Sequence, residues 1–131
     1  MFRELLCHAL KALFPTAAGL PGIQEMDPLA YTGEILSDAP WLMRFGAVGA
    51  TLLFVLLPFW TVYWPVPSFL LPVKVLDRHA QRICDSDVYL VRNASFLLKM
   101  FAGLHWARHA SVRKAFALQA YPPDPDDWRT E

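Results

Sequence analysis

Few residues in this chain have the type and spacing to do chemistry, and His105 and His109 in HWARH come first. Four residues apart on one helix, two imidazoles project from the same face, as metal ligands can. A metal site needs further donors, and the chain offers only His8 and His79 besides, with no HExxH. No metal ligand set is therefore expected, and His105 and His109 read as interfacial histidines near a helix end. No CxxCH occurs that would attach a haem. Asp124, Asp126 and Asp127 lie close together in a proline-rich acidic stretch, where carboxylates are expected to serve solubility or docking rather than to hold a cation.

Other reaction machinery is equally sparse. The sequence contains no serine nucleophile elbow, phosphate-binding glycine loop or dinucleotide fingerprint, and Gly46, Gly49 and Gly103 fall inside helical patterns. Cys7 and Cys84 stand alone without a short-spaced partner, which points to reduced, partly buried thiols. No catalytic residue and no cofactor of its own is expected.

The element that dominates the chain is apolar. From Phe45 to Val73, between Arg44 and Lys74, there is no charged residue. A helix that crosses the hydrocarbon core needs ~20 apolar residues, and Phe45 to Trp64 supplies that length. The residues expected to insert are Trp41, Phe45, Leu52, Leu53, Phe54, Leu56, Leu57, Phe59, Trp60, Tyr63 and Trp64. Trp41 precedes the run while Trp60, Tyr63 and Trp64 close it, and such rings favour the headgroup level. Pro58 removes a backbone donor and kinks a helix, and Pro65, Pro67 and Pro72 follow. Three arrangements stay open: a full span, a dip into one leaflet with Trp60 and Trp64 at the interface, and a helix buried against a partner protein. Gly46, Gly49 and Ala50 give one face of this helix small residues that would let another helix approach closely.

Composition fits such an element. Of 131 residues, 55% are hydrophobic and 14% aromatic, whereas 18% are charged, below the usual ~25%. A chain of this length makes one domain. Formal net charge is zero, so no global basic field attracts nucleic acid. Glu4, Glu25, Asp27, Glu34 and Asp38 make the opening third acidic, while Lys74, Arg78, Arg82, Arg92, Lys99, Arg108, Arg113 and Lys114 make the later part basic. By the positive-inside tendency the basic C-terminal part belongs on the cytoplasmic side. The opening residues MFRELLCHALKALFP lack the pattern of an export signal, so the expected location is the inner (cytoplasmic) membrane.

Apolar residues Phe2, Leu5, Leu6, Ala9, Leu10 and Leu13 recur at helical spacing and predict a first helix that ends at Phe14-Pro15. A loop rich in proline and glycine follows, and Asp27 with Pro28 starts a short second helix to Leu36. After the apolar stretch, Val73, Leu76, Ala80 and Ile83 line one face of a further helix that stops at Asp85-Ser86. The next helix carries a stripe of Tyr89, Asn93, Phe96, Leu97, Met100, Phe101 and Leu104, with Arg92, Ser95 and Lys99 opposite. A last helix covers Ser111 to Leu118. The expected fold is all-α, about six helices with one long apolar membrane-inserted helix. Residues 1–120 form a single helical membrane-associated domain and 121–131 an extended, proline-rich acidic tail.

Leu13, Phe14 and Pro15, then Gly19, Leu20, Pro21 and Gly22, and finally Leu97, Leu98, Lys99, Gly103, Leu104, Val112 and Arg113 form a pattern of short motifs over most of the chain. In this pattern the chain resembles the small helical subunit, or fused N-terminal helical domain, of flavin-dependent alcohol dehydrogenases of the glucose-methanol-choline class; the gluconate 2-dehydrogenase small subunit is a known relative. The resemblance implies a non-catalytic subunit that binds, stabilises and membrane-anchors a large FAD-dependent dehydrogenase acting on an alcohol or sterol. FAD would belong to that partner, and the bilayer would be a second partner. Pro15, Gly19, Pro21, Gly22, Tyr121, Pro123 and Trp128, from segments of the kind ordered by contact, are expected at the interface. The competing expectation is a small single-span accessory subunit of a larger respiratory or photosynthetic membrane complex.

Overall fold

A computed structural model describes residues 1–14, 19–119 and 123. Over these residues the chain is all-helical, with seven α-helices and no strand. Helix α1 (Phe2–Leu13) turns Leu6, Ala9, Leu10 and Leu13 inward, as its three- and four-residue apolar spacing requires. It lies against α2, α3, α5 and α6 and so forms the middle of the core.

Helix α2 (Pro28–Asp38) starts as expected at Asp27, whose carboxylate accepts a hydrogen bond from the Ala30 amide at 3.3 Å, with Pro28 in the first turn. The Asp27 backbone is left-handed, φ 47°. Asp27→Ala is therefore expected to cost about 1–3 kcal/mol, from loss of the cap and from a side chain that tolerates this conformation less well. Asp27→Gly relieves the backbone part, so urea unfolding should rank wild type above the glycine variant and that above the alanine variant. An alanine variant as stable as wild type contradicts the role of this cap.

The apolar stretch is divided. Helix α3 begins earlier than the sequence indicates and runs Trp41–Leu56, 16 residues; α4 adds Pro58–Thr61. The break is chemical, because Pro58 has no amide hydrogen to give the Phe54 carbonyl one turn back. Tyr63 then adopts a left-handed backbone, φ 57°, and the chain leaves the helical path. At ~1.5 Å per residue α3 reaches about 24 Å against a hydrocarbon core of ~30 Å. Among the described residues no helix is long and apolar enough to cross a membrane; in place of the one long apolar helix there are two helices that meet at Pro58, the residue where the sequence places a kink.

A short 3₁₀ turn, Ser68–Leu70, leads to α5 (Val73–Cys84), then α6 (Tyr89–Arg108) and α7 (Ala110–Ala115). Helix α6 packs along α3, closely enough that a Cβ on Gly46 would lie 3.0 Å from Leu97 Cδ2. Gly46 and Ala50 thus serve an intramolecular helix pair, while Gly49 faces open space. The inward face of α6 is Ser95, Leu98, Phe101, Ala102 and His105, not the whole stripe of larger residues: Tyr89, Asn93, Phe96 and Leu104 are exposed. Ser95 tolerates burial because its hydroxyl donates to the Arg92 carbonyl at 2.8 Å.

Candidate functional site

The outer side of α3 carries Trp41, Phe45, Gly49, Leu52 and Leu56 at helical steps, and Phe59, Trp60 and Tyr63 extend this row beyond Pro58. Phe45 is 74% exposed, Leu56 66%, Trp60 74% and Tyr63 81%, so large apolar and amphipathic side chains stand free along this row. Phe69, Leu70 and Val73 add exposed apolar surface from the following turn and the start of α5. The opposite side of α3 (Ala47, Ala50, Thr51, Phe54 and Val55) is buried.

Of the residues expected to insert, Trp41, Phe45, Leu52, Leu56, Phe59, Trp60, Tyr63 and Trp64 lie on the exposed side. Phe54 does not: it is 1% exposed and part of the core cluster with Leu10, Ala50 and Leu98. Leu53 and Leu57 are half-buried, Leu57 against the core and Leu53 in a groove of about 400 Å³ between α3 and α6 that Phe45, Leu90, Asn93 and Leu97 also line. The reason for the correction is the helical period, which turns every third or fourth residue of a uniformly apolar helix toward whatever protein lies beneath it.

Beneath this face sits a polar bracket that holds α4 to α5. His79 is fully buried, its Nε2 2.8 Å from the Phe54 carbonyl and its Nδ1 2.5 Å from Thr61 Oγ1. A carbonyl has no hydrogen to give, so Nε2–H donates to Phe54, and the imidazole supplies the hydrogen bond that Pro58 cannot. Nδ1 is then free to accept from the Thr61 hydroxyl, which also lies 3.0 Å from the Leu57 carbonyl. The Arg82 guanidinium donates to the Thr61 carbonyl. Phe54 lies between two imidazoles, with the His79 ring centroid at 4.9 Å and the His8 centroid at 6.0 Å. Burial pushes the His79 imidazole below its usual pKa against the opposing pull of the Phe54 carbonyl, and the nearby His8 lowers it further. His8 is lowered as well, by burial first, opposed by the Ser68 backbone and assisted by Lys11. His8 Nε2 and the Ser68 hydroxyl are buried without a protein partner.

No protein-family model, curated protein or solved structure matches this chain.

His105 and His109 do not form a pair. The α6 helix ends at Arg108, and His109 takes an extended backbone, φ −69° and ψ 134°, that redirects its side chain to Ser111 Oγ at 2.6 Å. His105 points inward instead, donating from Nε2 to the Met26 carbonyl at 2.7 Å and stacking on Tyr31 at 4.2 Å. Arg108 lies 5.1 Å over the Tyr31 ring and bonds Glu34 at 2.6 Å, closing a clamp between α2 and the end of α6. Burial is again the largest cause of the lowered His105 pKa; the Met26 hydrogen bond and Glu34 oppose it, and Arg108 and His109 add to it. Burial raises the Tyr31 pKa, with Arg108 opposing and Glu34 assisting. Among the described residues no three or more His, Cys, Asp and Glu side chains gather as metal ligands.

In the loop expected to meet a partner, Pro21 and Gly22 are held against α6. Trp106 Nε1 donates to the Pro21 carbonyl at 2.8 Å, Gly22 is buried and Pro21 half-buried, which leaves Gly19 exposed with φ 80°. An indole donor needs an acceptor when it is covered, and the carbonyl before a buried glycine supplies one. Pro123 is exposed. Pro15, Tyr121 and Trp128 lie outside the described residues. Sequence reasoning missed the His79 bracket, although Pro58 inside a helical pattern announces an orphaned carbonyl at Phe54.

Proposed function

We propose that this chain is a non-catalytic accessory subunit that binds, stabilises and membrane-anchors a larger FAD-dependent dehydrogenase of the alcohol- or sterol-oxidising kind. The observation that carries this reading is the uncovered apolar row from Trp41 to Tyr63, continued by Phe69 and Leu70. Large exposed apolar patches mark lipid or protein contact, and water alone leaves this one without a partner. The flavoprotein as partner rests on the resemblance in the segments Leu13–Pro15, Gly19–Gly22 and Leu97–Arg113. In that arrangement the large subunit holds FAD and carries out hydride transfer, and the surface described above fixes it at the bilayer of the inner membrane, with the basic helices after Lys74 on the cytoplasmic side.

Pull-down of a tagged full-length chain from its native host in mild detergent tests the reading. The expected eluate is yellow, with a flavin absorption band and a large co-purifying chain, and alcohol oxidation follows that large chain alone. A colourless single chain, co-purification of a multi-subunit respiratory complex, or turnover of an alcohol by this chain unaided each overturns it.

A further inference from the structure

We infer that α3, α4 and the Ser68–Leu70 turn form an in-plane anchor that sits in one leaflet of an anionic phospholipid bilayer. The inference deepens the membrane-anchoring part of the proposed function and is independent of the flavoprotein.

Geometry sets the orientation. Helix α3 packs its Ala47, Ala50 and Phe54 side onto α1 and α6, so only its outer side is available to lipid. A helix fixed to protein along one side and ending after 16 residues lies along the interface, where its apolar side reaches ~5–10 Å into the headgroup and acyl boundary. Trp41 at one end and Trp60, Tyr63 and Trp64 at the other carry the polar-edged rings that favour the headgroup level. Both ends of the row therefore belong at one depth. Phe45, Leu52 and Leu56, between them, have only hydrocarbon to offer and fill the deeper layer.

Charge names the lipid. The sequence from Phe45 to Val73 holds no ionisable side chain except Tyr63, yet cations border it at both ends: Arg44 before it and Lys74 after it. Lys74 and Arg78 are exposed, one turn apart on α5, with Asp77 as the exposed acid between them. Cations at the rim of an apolar face are placed to meet phosphate and anionic headgroups as the rings enter the leaflet. Arg44, Lys74 and Arg78 against the single acid Asp77 leave this rim net positive, which suits anionic headgroups.

Vesicle sedimentation with the purified full chain and no dehydrogenase separates this inference from the flavoprotein reading. Vesicles of phosphatidylcholine with phosphatidylglycerol should pellet the protein, shift its tryptophan emission to the blue, and bind it more tightly than phosphatidylcholine alone. Leu56→Asp should weaken binding at least about tenfold, because a charge enters the apolar layer. Leu56 is mostly exposed, so thermal unfolding of this variant in buffer should match wild type. Lys74→Glu with Arg78→Glu should remove most of the preference for the anionic vesicles, about fivefold or more per residue. In chains keeping Trp41 or Trp60 as the only tryptophan on this face, acyl-brominated lipids should quench both from the same shallow depth. Absence of binding to either vesicle, equal binding to both compositions, depths in opposite leaflets, or a dimer that buries Trp60 and ignores lipid overturns the inference.

Discussion

Replacing His79 with alanine is expected to destabilise the fold by about 2–4 kcal/mol, the sum of an orphaned buried carbonyl and the space left by a fully buried ring. The carbonyl is that of Phe54, which sits one turn before Pro58 and has the His79 Nε2–H at 2.8 Å as its donor. Pro58→Ala creates an amide that can reach Phe54 along the helix, so in that background the loss of His79 should cost less by ~1 kcal/mol or more. Denaturant unfolding of the four chains measures this coupling, and equal losses in the two backgrounds would falsify the bracket. The variant has a local consequence too, since Thr61 loses its contact to α5 on the histidine side and α4 carries Phe59 and Trp60 outward. Trp60 should then become more mobile in fluorescence anisotropy, an effect that replacing the distant His109 should not produce.

Acidification should destabilise the protein between about pH 7 and pH 5, before most carboxylates titrate. His8, His79 and His105 all have folded pKa values below 6.5, with burial the largest cause in each. The unfolded chain binds a proton on each of these rings near pH 6.5 whereas the folded chain resists it, so the unfolded state holds more protons in this window. Stability is fully present above about pH 6.5 and is lost as the pH falls through the depressed folded values. The three groups act in the same direction, so their effects on the slope add. The facing groups set the local balance: Lys11 and Ser68 around His8, Thr61, Arg82 and His8 around His79, and Arg108, Glu34 and His109 around His105. Calorimetry across this range should show Tm falling with pH. His8→Phe, which removes a buried unpartnered nitrogen, should hold its stability near neutral pH and lose part of the acid slope. An unchanged slope in that variant, or a wild-type Tm that rises on acidification, contradicts the assignment.

What the sequence by itself determined were the features set by local chemistry. The period of Leu6, Ala9, Leu10 and Leu13 made α1, Asp27 with Pro28 made the start of α2, and the spacing of Leu76, Ala80 and Ile83 made α5, because cap, proline and apolar spacing act within a turn or two of the chain. The all-α class followed from these. Where every residue is apolar, however, the pattern carries no direction, and Phe54 could not be told from Leu56 until α1 and α6 covered one side of α3. Helix spacing likewise put His105 and His109 on one face, but only the tertiary structure decided that the helix stops between them, with Met26 and Tyr31 drawing His105 inward. The kink at Pro58 was legible; its donor was not, because His79 lies 25 residues from Phe54 and reaches it only through the packing of α5 on the end of α3 and α4. Hydrogen bonds within a turn are written in the local sequence, whereas the partner of an orphaned group is chosen by whichever buried side chain the assembled core brings within about 3 Å.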